Sequence, residues 1–202
     1  MKKSIKTREY ILEKSLELFN NFGYYKTAMD DISKYAKVGK GTIYYYFKSK
    51  NELFSKVVER EGNNLIKSIN KSIKKDDTPE KKLEKVISYQ LINLNKINIL
   101  RNTFNDKHLL SIKEIRESIQ HYTDSFSELI YTILVEFSQK NSYEIENKKI
   151  YSSTLSIIFT SSALGPLLSE NSQLVDFKVK DLVMRFFKFF TLNPKGANNE
   201  TI

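Results

Sequence analysis

The chain has 202 residues, 40% hydrophobic and 28% charged, with no cysteine, two histidines and a net charge of +9. It is long enough to bury a core without covalent staples. The missing cysteines exclude disulfides and cysteine-held metals, two histidines are too few for most catalytic metal sites, and no apolar run reaches the roughly 18 residues of a membrane span. Met1-Lys2-Lys3 is not followed by an apolar core, so no leader is read and a cytoplasmic location is expected. The charge is uneven: residues 1–60 hold 13 Lys/Arg against 7 Asp/Glu, residues 61–202 hold 20 against 17. Such clustering fits a polyanion binder, and fits a solvated lysine-rich surface as well.

Apolar residues recur at helical spacing almost throughout, and prolines fall only at 79, 166 and 194. The expected fold class is therefore all-α, with about nine helices. The first helix is predicted over 5–22, with Ile11, Leu12, Ser15, Leu16, Phe19 and Phe22 on one face and Gly23 as its C-terminal stop. A second helix is predicted to start at Thr27, whose side chain with Asp30 forms a cap, and to bury Ile32, Tyr35 and Ala36. After the turn Lys37-Val38-Gly39, a third covers 40–47 with Ile43 and Phe47 inward. Ser49 and Glu52 form a capping box for a fourth helix running to about Lys75, in which Gly62 is a candidate hinge. Thr78 caps and Pro79 opens the next helix. Further helices are expected at 79–96, 99–107, 109–140 (one piece or two), 144–168 and 174–191, and a disordered tail at 193–202.

The second helix, its turn and the third make a helix-turn-helix at about 28–47, the short second member of which can enter a major groove. Lys40 can pair with phosphate, Thr42 can contact phosphate or a thymine methyl, and Tyr44, Tyr45 and Tyr46 offer rings and hydroxyls. These consecutive tyrosines point about 100° apart, so they cannot all be core. Gly41 removes a side chain where a DNA backbone would approach. Gly39-Lys40-Gly41-Thr42 lacks the spacing and the preceding strand of a phosphate-binding loop. No nucleophile pairs with a base and no acids stand at metal spacing, so neither an enzyme nor a cofactor is expected.

The series Ile11-Leu12-x-x-Ser15-x-x-Leu18-Phe19, Gly23-Tyr24, Thr27-x-x-x-Asp31-Ile32 and Val38-Gly39-Lys40-Gly41-Thr42-Ile43-Tyr44-Tyr45-Tyr46-Phe47-Lys48-Ser49-Lys50-x-x-Leu53 resembles the head of the TetR/AcrR regulators. The resemblance covers about residues 5–60. It implies a DNA-binding domain at 5–65 and an effector-binding and dimerisation domain at 66–192. It implies that Tyr44 and Lys50 touch phosphates, that Lys40, Thr42 and Tyr45 lie against the groove, and that Thr27 caps the second helix beside the DNA. Gly39 and Tyr46 stand where that family often has Ser and His.

The implied function is a transcriptional regulator, a repressor by default. It would bind a near-palindromic operator in double-stranded DNA as a homodimer and be released by an unknown small-molecule effector. An activator, or an effector-independent architectural DNA binder, stays open. In the last helix Val179, Leu182, Val183, Met184, Phe186, Phe187, Phe189 and Phe190 span roughly 220° of the wheel, where a surface helix needs about 100°. With the small residues Ser152, Ser153, Ser156, Ser161, Ser162 and Ala163 on the preceding helix, this points to a four-helix dimer seam carrying Leu155, Ile158, Phe159, Leu182, Phe186, Phe189 and Phe190; a thick monomer core is the alternative. Tyr89, Asn93, Phe104, His108, Tyr122, Phe126 and Phe159 are candidates to line an effector pocket.

Overall fold

The computed structural model describes residues 2–94, 96–141, 145, 147–160 and 179–188, and its regular elements are all helical. They are α1 (Lys2–Lys26), α2 (Met29–Tyr35), α3 (Lys40–Tyr46), α4 (Lys50–Ser72), α5 (Pro79–Leu94), α6 (Asn98–Asn105), α7 (Lys107–Ser111), α8 (Lys113–Asn141) and α9 (Lys148–Thr160), followed by α10 at 179–188. The expected tail at 193–202, the helix expected beyond residue 160, Phe189 and Phe190 lie outside the described residues, as do the side chains of Ile158 and Phe159.

The chain divides into two compact units, Met1–Asn64 with Ile97–Tyr122, and Leu65–Lys96 with the described residues from Thr123 onward. The first unit thus takes in α6, α7 and the start of α8, which a head of 5–65 leaves out. Its core is built where periodicity put it: Ile11, Leu12, Phe19, Ile32, Ile43 and Phe47 are buried, as are Leu53, Phe54, Val57 and Val58 of α4. Phe22, expected on the inner face of α1, is exposed, and Leu18 is buried instead. Gly23 explains the end of that face. Its φ of 77° and ψ of 171° break the helical path, in a region that is essentially closed to residues with a Cβ.

Three further expectations change. Tyr35 is exposed on α2, and its hydroxyl donates to Glu17 Oε2 at 2.5 Å. The stretch from 109, left open as one piece or two, is two: the break falls at Ile112, and α7 already starts at Lys107, where Asp106 accepts the His108 and Leu109 amides. Gly62 is not a break: α4 continues through it, and a Cβ there would meet the Tyr122 side chain at 3.0–3.3 Å. Gly62 is the place where that ring lies against helix backbone.

In the second unit Leu83, Val86, Ile87 and Leu91 of α5 are buried, with Phe126, Ile130, Leu134 and Phe137 of α8. Phe137 packs on Phe187 of α10 at a ring separation of 4.2 Å. Ser152 and Ser156 of α9 are buried against the chain's own α8: Ser156 Oγ donates to the Thr123 carbonyl at 2.9 Å and Ser127 Oγ to Ser152 Oγ at 3.3 Å. These two small residues therefore serve a close approach within the chain, not the seam at which they were expected. Two of the capping residues, Thr78 and Ser49, behave as read. Thr78 Oγ1 accepts the Lys81 amide at 3.3 Å ahead of Pro79, and Ser49 Oγ accepts the Glu52 amide at 3.1 Å.

Candidate nucleic-acid interface

The helix-turn-helix forms because both short helices have an apolar inner side and a defined stop. Ile32 of α2 and Ala36 at its C-cap, with Ile43 of α3 and Phe47 after it, are at most 2% exposed. The turn is locked by Ser33, whose hydroxyl donates to the Val38 carbonyl at 2.7 Å while its own carbonyl accepts the Val38 amide at 3.1 Å. Lys37 takes a left-handed φ of 53° to make the corner.

The cap of α2 differs from expectation. Thr27 is 2% exposed, and its hydroxyl donates back to the Gly23 carbonyl at 2.8 Å. Ala28 occupies the N-cap and Asp31 accepts its amide at 2.9 Å, so only the reciprocal half of a capping box is made. Thr27 thus pins the loop ahead of α2, with its side chain turned away from solvent.

On α3 the solvent-facing set is as expected. Lys40, Gly41, Thr42, Tyr44 and Tyr45 are exposed, Tyr45 most of all at 70%, and Tyr46 is half-buried with its ring edge-on to Tyr45 at 5.0 Å. A Cβ added at Gly41 would meet nothing within 4 Å. Nothing in the protein's own packing at this site requires a glycine. A helical glycine nevertheless costs up to about 1 kcal/mol against alanine.

The cations around α3 are not equivalent. Lys40 Nζ lies 2.8 Å from Asp30 Oδ1 and 3.1 Å from Oδ2, and that hydrogen bond raises its pKa above the ordinary lysine value. Lys50 is folded inward: its ammonium donates to the Tyr24 carbonyl at 3.1 Å and stands 4.2 Å over the Tyr24 ring. Burial pulls its pKa below the ordinary value. A phosphate contact from Lys50 would have to compete with those partners. Lys48, not among the expected site residues, is exposed at the C-terminal end of α3, 3.4 Å from the Tyr44 and Tyr45 carbonyls. Its sequence signal was its place just after buried Phe47, at the negative end of the helix dipole.

The remaining candidates scatter. Phe104, His108 and Tyr122 belong to the first unit, where His108 is exposed beside Tyr25 at a ring distance of 5.9 Å and Tyr122 is buried against Phe104. Tyr89, Asn93 and Phe126 belong to the second; Phe126 is fully buried, and the Asn93 amide donates to the Tyr89 carbonyl at 2.9 Å. Of the seam candidates, Leu155 and Phe186 are half-buried and Leu182 is 46% exposed. Among the described residues no acid–histidine group could hold a metal ion, and no helix is long and apolar enough to cross a membrane.

Residues 11–57 match the model for bacterial regulatory proteins of the tetR family. Over 54 residues, 27% of this chain, the sequence is 50% identical to the HTH-type transcriptional regulator YhgD of Bacillus subtilis. Over 59 residues, 29% of the chain, it is 41% identical to the HTH-type transcriptional regulator AcrR of Shigella flexneri. The matches span only 28% and 27% of those relatives' own lengths. In fold, the chain is similar to the transcriptional regulator FadR from Bacillus subtilis in complex with stearoyl-CoA, with a TM-score of 0.70 at 21% identity, covering 87% of this chain and 96% of that one.

Proposed function

From the premise that the head of this chain is a tetR-family head, we propose that the protein is a sequence-specific DNA-binding transcriptional regulator, by default a repressor. The observation that carries this reading is the outer face of α3. It combines exposed Tyr44 and Tyr45, exposed Lys40 and Thr42, and a glycine that nothing in its surroundings requires. A helix face with exposed hydroxyls, an ammonium donor and an unfilled Cα is suited to a DNA groove.

The regulator acts as a homodimer, which sets two copies of α3 in successive major grooves of a two-fold operator. Supporting this, α10 turns Val179, Val183 and Phe187 inward while Leu182 and Met184 stay 46% and 55% exposed. A small apolar effector bound in the second unit weakens operator binding through a reciprocal coupling on the order of 1–3 kcal/mol. Ser88 supports a ligand in that unit: it is 8% exposed on α5, and its hydroxyl finds no hydrogen-bond partner among the described residues. The similar FadR fold holds stearoyl-CoA, so a long-chain acyl thioester is the first effector to try.

The test is selection of bound duplexes from a random pool by the full chain. A two-fold related motif with half-sites a helical turn or a multiple apart is expected. Recovery of unrelated sequences would overturn the operator model.

A further inference from the structure

Asp30 introduces a negative charge beside the face that is to meet phosphates. It lies in the first turn of α2, half exposed at 53%, and both its carboxylate oxygens are within 3.1 Å of the ammonium of Lys40, itself 61% exposed in the first turn of α3. Nothing in the core needs this pair, since neither side chain is buried. Exposed ion pairs add little stability. The pair therefore has to be understood by what it does to Lys40.

We propose that Asp30 is a positioning residue for DNA recognition: it cancels the charge of Lys40 toward backbone phosphate and holds that ammonium as a net-neutral hydrogen-bond donor for a base edge. The proposal rests on the DNA-binding reading above. A free ammonium is attracted to every phosphate, whatever the sequence, and releases a counterion each time. An ammonium already bound to a carboxylate gains little from phosphate. It keeps donor capacity, because an ammonium offers three protons. Base acceptors such as guanine O6 and N7 occur only in certain sequences, so a neutralised Lys40 contributes to discrimination rather than to general affinity.

The experiment compares the full chain with D30N, D30E and D30N/K40A on two duplexes, the operator recovered by selection and a scrambled sequence, over a fourfold range of salt. D30N should bind the scrambled duplex more tightly at low salt. Its plot of log K against log salt should steepen by about 0.9 per head, which is roughly a threefold larger loss of affinity per head across the range. The operator-to-scrambled ratio should fall several-fold. D30E, which keeps the charge, should restore the parent slope, and D30N/K40A should lack the steepening. An unchanged slope in D30N, or equal gains on both duplexes, would overturn the proposal while leaving DNA binding intact. Failure of the parent chain to bind either duplex would overturn the underlying function instead. Because Asp30 is on the surface, a folding defect in D30N is checked by its thermal midpoint. A parent-like midpoint with a parent-like slope counts against the proposal.

Discussion

At the scale of single residues, function and stability pull in opposite directions at α3. Gly41 lies inside a helix with open space where its Cβ would be, so Gly41→Ala should stabilise the free protein by up to about 1 kcal/mol, a rise in Tm of about 2–4 °C. The added methyl would stand on the face proposed to approach DNA, and duplex affinity measured by anisotropy should drop. Tighter or unchanged binding would show that the glycine does not serve a close approach. Ser88 gives the matching case in the second unit. Its hydroxyl is buried without a partner among the described residues, and such a group costs on the order of 1–3 kcal/mol. Ser88→Ala should raise the urea midpoint without changing the slope m, and should shrink the stabilisation that an effector provides.

Among elements, the sequence was most legible where a local rule has one outcome. Gly23 as a stop, the Ser49–Glu52 cap, Thr78 ahead of Pro79, and Ile43 with Phe47 as the inner side of α3 all depend on neighbours within four residues, and all are present. What could not be read depended on distant partners. Thr27 is a good capping residue by type, yet it bonds back to Gly23. Tyr35 is apolar enough for a core, yet Glu17 of α1 draws its hydroxyl outward. Lys50 looks like a free cation until Tyr24 is placed under it. Gly62 looked like a hinge for the same reason. Because a Cβ there would meet the Tyr122 ring at 3.0 Å and the Tyr122 Cβ at 3.3 Å, Gly62→Ala should overpack by about 1–3 kcal/mol. The gain of about 1 kcal/mol in helix propensity does not cover this. A net loss of roughly 1 kcal/mol in chemical denaturation is expected, and a net gain would mean that the ring moves aside freely.

For the whole molecule, the proposed mechanism needs two heads, and one chain supplies one. The apolar arc of α10 is wider than its in-chain packing on Phe137 uses. Leu182→Glu places a charge on the unused part. Light scattering should then report a monomer, and operator binding should lose most of its affinity, since two linked heads gain from high effective concentration. Helical content should stay unchanged. A dimer that persists in Leu182→Glu puts the seam elsewhere.

Asp106 has a consequence of another kind. One carboxylate accepts the His108 and Leu109 amides that start α7 and also the phenol of Tyr25 at the end of α1, 2.9 Å away. Burial works to raise its pKa, but the bonds from the Leu109 amide, Tyr25 and the His108 amide outweigh burial and hold it below the ordinary aspartate value. The stability it contributes is therefore present above pH 3.8 and fades as pH falls through the lower folded value. One carboxylate thus fastens two segments about eighty residues apart in sequence. In deuterium-exchange measurements, the amides of His108 and Leu109 should open more readily when Tyr25 is replaced by Phe, although no atom of α7 has been altered.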